Sequence, residues 1–138
     1  MTEQRQMQIG EVAERTGLSL RTIRHYEEVG LVIPSARSKG GFRLYTESDV
    51  ERLMVIRRMK PLDFSLEEMR DLLDITDRLA AVDNPPLGEE LERLRERLDS
   101  YRKVADARCE TLRARLEMAE DFATTLRCRL QADVHSGT

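Results

Sequence analysis

The sequence predicts a mainly α fold in two parts: a compact helical front with one small β-hairpin, and a single long helix behind it. Three observations lead there. Apolar residues recur at helical spacing through the front half, interrupted by a Gly-Gly turn between two short extended runs. Beyond Asp83-Asn84-Pro85-Pro86, an apolar 3–4 repeat continues without proline to about Leu130. Charged residues make up 36% and aromatics 4%, with no Trp and three Phe, which favours exposed helices over a large aromatic core.

Taken in order, Ile9, Val12 and Ala13 sit at helical spacing and Gly17 interrupts them, so a short helix of about two turns is expected. Ser19 is placed to cap the next helix by accepting from its free N–H groups. That helix runs from Leu20 to about Val29, with Leu20, Ile23 and Tyr26 facing inward, and Gly30 ends it in a left-handed conformation. Leu31-Val32-Ile33 reads as a short strand whose extension Pro34 limits. Gly40-Gly41 supplies a turn, and Phe42-Arg43-Leu44-Tyr45 alternates as the returning strand. Thr46 opens the next helix, with Asp49 three residues on in a capping-box-like pair. Val50, Leu53, Met54 and Ile56 form its apolar face, and Pro61 ends it. Ser65 and Glu68 make a clearer capping box before a helix with Leu66, Met69, Leu72 and Leu73 as its buried stripe. The proline pair at 85–86 stiffens the chain and places a boundary there. The expected organisation is a front domain over residues 7–80, a linker at 81–86, the long helix at 87–131 and a short tail at 132–138.

From Leu87 to Leu130 the apolar positions are four and three residues apart in alternation, apart from one extra four-residue step at Ala105–Cys109. This is a coiled-coil seam with a stutter. A helix of ~44 residues is about 65 Å long at 1.5 Å per residue, more than its own small front domain can cover. The seam therefore reads as a dimerisation surface, with Leu91, Leu94, Leu98, Tyr101, Ala105, Cys109, Leu112, Leu116 and Ala119 as candidate contacts. The other reading is an intramolecular helical hairpin.

The net charge of −3 hides an uneven distribution: 11 Lys/Arg stand against 7 Asp/Glu over residues 5–60, and 12 against 18 over residues 61–138. A basic front orients toward phosphate and an acidic rear away from it; ordinary solvated charge is the plainer explanation. No apolar run is long enough to span a bilayer, and Met1–Arg5 contain no apolar stretch of a secretory signal, so a cytoplasmic protein without membrane contact is expected.

Two helices joined at Gly17 and followed by a hairpin make a winged helix-turn-helix. In that arrangement the second helix enters the major groove with its early residues facing base edges. With Leu20 and Ile23 inward, Ser19, Arg21, Thr22, Arg24 and His25 are left for DNA. Arg can bridge guanine N7 and O6 or clamp a phosphate, and Tyr26 offers a hydroxyl. The wing adds Lys39, Arg43 and Tyr45 against the backbone or minor groove. Alternatives stand beside these roles: Tyr26 and Tyr45 as half-buried core residues, and Arg24 as an ion-pair partner of Glu27 or Glu28. His25 has no Cys or Asp at metal-ligand spacing. No nucleophile–base arrangement, Gly-rich phosphate loop or metal cluster is visible, so an enzyme is not expected. The competing classes are a DNA architectural or recombination accessory protein and a coiled-coil adaptor.

The segments Ile9-Gly10-Glu11-Val12-Ala13, Thr16-Gly17-Leu18-Ser19, Thr22 through Leu31, Arg43-Leu44-Tyr45 and Phe64-Ser65-Leu66-Glu67-Glu68 together resemble the MerR family of bacterial regulators over residues 7–75. The resemblance implies DNA contacts by Arg24, Arg43 and Tyr45, with Tyr26 on a phosphate. It also implies a homodimer joined by an antiparallel coiled coil, a pseudo-palindromic operator in double-stranded promoter DNA, and DNA distortion that lets RNA polymerase engage. Asp63 stands where the family usually has Gly; if the backbone there is left-handed, Asp is among the few tolerable replacements. The cysteine-rich metal loop of some members is missing, since only Cys109 and Cys128 are present, and no cofactor is expected. With eight residues after Leu130, an added ligand domain is not expected. In an antiparallel pair Cys109, near the helix midpoint, would meet its own copy. It reads either as a small apolar seam residue or as a thiol capable of a reversible inter-subunit disulfide.

Overall fold

The computed structural model describes residues 6–34 and 36–136. Met1–Arg5 and the last two residues of the expected tail lie outside the described residues, as does the His135 side chain. In chain order the elements are β1 (Met7–Gln8), α1 (Ile9–Thr16), α2 (Leu20–Glu28), β2 (Ala36–Arg37) and β3 (Arg43–Tyr45). There follow α3 (Glu47–Met59), a 3-10 turn (Lys60–Leu62), α4 (Leu66–Leu79) and α5 (Gly88–Ser136). The fold is mainly helical with one three-stranded antiparallel sheet in the order β1-β3-β2.

The turn between α1 and α2 follows from local chemistry. Gly17 adopts φ 72° and its N–H donates to the Ala13 carbonyl. Buried Thr16 donates its hydroxyl to the Val12 carbonyl at 2.8 Å, while its own carbonyl accepts from the Arg57 guanidinium on α3 at 2.8 Å. A Cβ at Gly17 would sit 3.3 Å from that guanidinium, in a backbone conformation that L side chains resist. Gly17→Ala is therefore expected to destabilise the front domain by about 1–2 kcal/mol, read as a lower urea midpoint at unchanged slope.

Ser19 caps α2 by accepting from the Thr22 N–H at 3.1 Å. At the other end Gly30, at φ 80°, donates to the Glu27 carbonyl and Leu31 donates to that of Tyr26, a complete Schellman closure. This closure overturns the expected strand at Leu31-Val32-Ile33. The Leu31 N–H serves the α2 terminus and the Leu31 carbonyl accepts from Arg52 Nε at 2.6 Å, so neither group is left for a ladder. Leu31 and Val32 are buried core residues and Ile33 is 75% exposed. The first wing strand is β2 instead, pairing Ala36 with Leu44 and Arg37 with Arg43. A further strand not expected from sequence, β1, pairs Met7 with Tyr45 and Gln8 with Leu44 on the other side of β3.

Both capping boxes form, Thr46 with Asp49 on α3 and Ser65 with Glu68 on α4. Between them Asp63 takes φ 57°, ψ 34°, the left-handed conformation in which a short polar side chain is tolerated. The core gathers Val12, Ile23, Tyr26, Leu31, Val32, Tyr45, Leu53, Ile56, Met69, Leu73 and Ile75. Leu20 and Leu66, expected inward, are 41% and 38% exposed. Each is the first residue of its helix.

Packing divides the chain at Gly88. The helix α5 has 49 residues, so it starts after Leu87, which is 74% exposed, and continues past Leu130 to Ser136. Its midpoint is Leu112, one turn beyond half-buried Cys109. Asp99, Arg102, Lys103 and Asp106 form i,i+3 and i,i+4 ion pairs along it. The hydrogen bond from Arg102 holds the Asp99 carboxyl below its ordinary range. Leu112, Leu116, Leu126 and Leu130 are exposed along the seam, as are Met118 and Phe122 beside it. Among the described residues no helix is long and apolar enough to cross a membrane.

Candidate nucleic-acid interface

The helix α2 stands out from the front domain because its inner stripe, Ile23 and Tyr26, anchors it while its polar stripe is left outside. Arg21, Arg24 and His25 are exposed and Thr22 is half-buried. The Ser19 hydroxyl donates to the Thr22 hydroxyl at 2.8 Å, so these two candidates act as one capped unit at the helix start.

A groove runs along each flank of α2. The first, about 190 Å³, is bounded by Arg24 on α2, Arg37 and Arg43 on the wing, and Gln8, Ile9, Gly41 and Phe42. The second, about 550 Å³, is bounded by Arg21, Thr22, His25 and Tyr26 on one side and Lys60, Asp63, Phe64, Leu66 and Met69 on the other. Cations thus line both sides of the helix: three guanidinium groups toward the wing, Arg21 and Lys60 toward the α3–α4 turn. Arg21, Arg24, Lys39 and Lys60 form no ion pair among the described residues. Their charge is not neutralised internally and is available to an anionic partner.

The wing tip is built by the backbone. Ser38 donates its N–H to the Phe42 carbonyl at 2.8 Å, Gly41 donates to Ser38 at 2.9 Å with φ 82°, and the Arg37 guanidinium donates to the Gly41 carbonyl at 3.2 Å. Lys39 is exposed on this turn, and Phe42 is 63% exposed beside it.

The tyrosines sit differently from the arginines. Tyr26 is 1% exposed at the floor of the larger groove, its ring 6.0 Å from that of His25, and its hydroxyl has no partner among the described residues. Tyr45 is fully buried, and its hydroxyl donates to Glu27 Oε2 at 2.9 Å. Burial and this bond to a carboxylate raise its pKa well above the ordinary phenol value. The Tyr45 hydroxyl is therefore directed at α2 and not outward, which does not fit the direct wing contact expected of it. Glu27, one of the two alternative ion-pair partners considered for Arg24, lies 2.8 Å from Arg43 Nε.

Two cations of the grooves were missed from sequence. Arg37 lies outside the strand that the sequence predicts at Leu31-Val32-Ile33, which starts five residues before β2. Lys60 counts toward the basic front, but only the turn at Pro61 and Asp63 brings it opposite α2. On α5, Leu94 is buried and Leu91, Leu98, Tyr101, Ala105 and Cys109 are half-buried, while Leu112, Leu116 and Ala119 are exposed. Cys109 and Cys128 are free thiols.

Comparisons with known proteins agree with this geometry. A family model described as MerR HTH family regulatory protein matches residues 7–75, and one described as MerR, DNA binding matches residues 50–127. The regulator YfmP of Bacillus subtilis (strain 168) is 36% identical over 117 residues, covering 78% of this chain and 84% of that protein. The nodulation protein NolA of Bradyrhizobium elkanii is 41% identical over 90 residues, covering 65% of this chain and 39% of its own longer one. Among solved structures, HiNmlR, a MerR family regulator lacking the sensor domain and bound to promoter DNA, superposes with a TM-score of 0.65. It is 20% identical, covers 85% of this chain and 80% of that one, and shares the fold. With the second family model spanning more than half of its length, this chain belongs to the MerR family of helix-turn-helix DNA-binding regulatory proteins.

Proposed function

We propose that the chain acts as a cytoplasmic homodimer that binds a pseudo-palindromic operator in double-stranded promoter DNA and controls transcription by distorting that DNA for RNA polymerase. The observation that carries this reading is the pair of cation-lined grooves along α2, with Arg24, Arg37 and Arg43 on one flank and Arg21 and Lys60 on the other. One helix inserted between two rows of phosphates needs this arrangement of charge. The exposed seam of α5 supports pairing, since Leu112, Leu116, Leu126 and Leu130 have no cover within one chain. In this reading Arg24, with Thr22, reads bases. Arg21, His25, Lys39 and Lys60 hold the backbone, Arg43 reaches the flanking minor groove, whose width varies with sequence, and the Tyr26 hydroxyl faces a phosphate from the groove floor. Division into a binding domain at 7–80, a linker at 81–86 and a dimerisation helix, α5, which runs on to Ser136 through most of the expected tail, belongs to the same proposal.

The test is selection of duplexes from a random pool by the wild-type chain, followed by transcription in vitro from a promoter carrying the selected sequence. Enrichment of an inverted repeat, altered transcript yield and affinity that falls steeply with salt are the expected results. A pool that remains random would refute the reading.

A further inference from the structure

Glu27 is an acid inside a surface built of cations. Its side chain is only 10% exposed and reaches from α2 to β3 of the wing. Arg43 and Tyr45 are two residues apart on β3, so they share one face of the strand. Both meet the same carboxylate: Arg43 Nε lies 2.8 Å from Oε1 and the Tyr45 hydroxyl donates to Oε2 at 2.9 Å. The Arg43 side chain keeps 38% of its surface exposed, in the groove it shares with Arg24 and Arg37.

A negative charge here repels phosphate, so its presence in a phosphate-facing surface calls for a gain elsewhere. We propose that Glu27 is a positioning residue that clamps the wing strand to the recognition helix and aims the outer nitrogens of Arg43 at DNA. This rests on the DNA-binding reading above. One carboxylate holding two side chains of β3 fixes where the wing stands relative to α2. It also holds the guanidinium by charge, as a close ion pair at Nε without hydrogen-bond geometry, and leaves the terminal nitrogens without a partner among the described residues. A guanidinium ordered before binding loses less freedom when it meets its ligand. The carboxylate also offsets the mutual repulsion of three clustered guanidinium groups in the absence of DNA.

The experiment compares affinities for the duplex selected by the wild-type chain and for a scrambled duplex of equal composition. The chains are wild type, Glu27→Ala, Glu27→Gln, Arg43→Ala and the Glu27→Ala/Arg43→Ala double variant. Glu27→Ala is expected to lower the ratio of selected to scrambled affinity about 10-fold, with scrambled binding unchanged or tighter because a negative charge has left the surface. Glu27→Gln should stay within about 3-fold of the wild-type ratio, since its amide oxygen can face the Arg43 guanidinium while its N–H donates to the Tyr45 oxygen. In the Arg43→Ala background, Glu27→Ala should cost less than about 2-fold, because the pair then no longer exists. A wild-type ratio in Glu27→Ala, or an equal loss with and without Arg43, overturns the proposal. Should Glu27→Ala fail to fold by circular dichroism, Arg43→Lys replaces it. That variant keeps the charge and loses the Nε, and a wild-type ratio there overturns the proposal equally. If the wild-type chain selects no duplex, it is the DNA-binding reading that fails.

Discussion

Arg24→Ala should weaken binding to the selected duplex by about 100-fold or more while leaving the oligomeric state unchanged. Arg24 is exposed on α2, unpaired among the described residues, and lies where the helix and the wing groove meet. A good bidentate contact from Arg to a base contributes about 1–3 kcal/mol of discrimination, and a symmetric dimer loses it twice. The loss should fall on the selected duplex far more than on a scrambled one. Lys39 and Lys60 should behave differently. Each removes a phosphate contact, so alanine there should weaken both duplexes alike and lower the salt slope by about one per contact. Gel-shift titrations at several salt concentrations separate the two patterns. If Arg24→Ala weakens both duplexes equally, Arg24 serves the backbone and the assignment of base reading to it is wrong.

The second large effect is expected on α5. Leu112→Asp with Leu116→Asp should convert the protein to a monomer and reduce operator affinity by about 10²–10⁴-fold, the range lost when two linked sites become independent. Both leucines are exposed in the single chain, at 38% and 58%, so the substitutions do not touch the core of the front domain. Leu112 is also the midpoint of α5, where two antiparallel copies place like residues against each other and a pair of new carboxylates does the most harm. Sedimentation should report the change in mass, and an unaltered thermal transition of the front domain should show that its fold survives. A variant that stays dimeric would move the dimer contact off this seam.

Much of this fold was legible because its signals are local. Ser65 with Glu68, and Thr46 with Asp49, are three residues apart, and each box closes within one turn. Gly17 and Gly30 end their helices in left-handed backbone, and Asp63 adopts it where Gly would be usual. The wing was harder. An apolar run such as Leu31-Val32 looks the same as a buried strand or as a core loop, and what decides is long-range: Arg52 takes the Leu31 carbonyl from 21 residues away. The two residues of β1 are too few for any periodicity to register.

The candidate site divides along the same line. Spacing placed Arg21, Arg24 and His25 outside, because helix geometry fixes which residues share a face. Alternation along residues 42–45 does not say which face meets the core, so Tyr45 reads either as a wing contact to DNA or as a core residue; it is buried, against Glu27. The Glu27–Arg43 pair joins positions 16 residues apart in different elements, and no local pattern announces it. The larger groove arises because the turn at Lys60–Asp63 folds back opposite α2, again a product of packing.

In the proposed complex two copies of this chain, joined through α5, place two α2 helices on one duplex. The decisive experiment is hydroxyl-radical footprinting of the wild-type protein on its selected duplex, with the complex mass measured alongside. The expected result is two chains per duplex and two protected patches related by a two-fold axis, about one helical turn or a multiple of it apart. A single protected patch, or one chain per duplex at saturation, would contradict it.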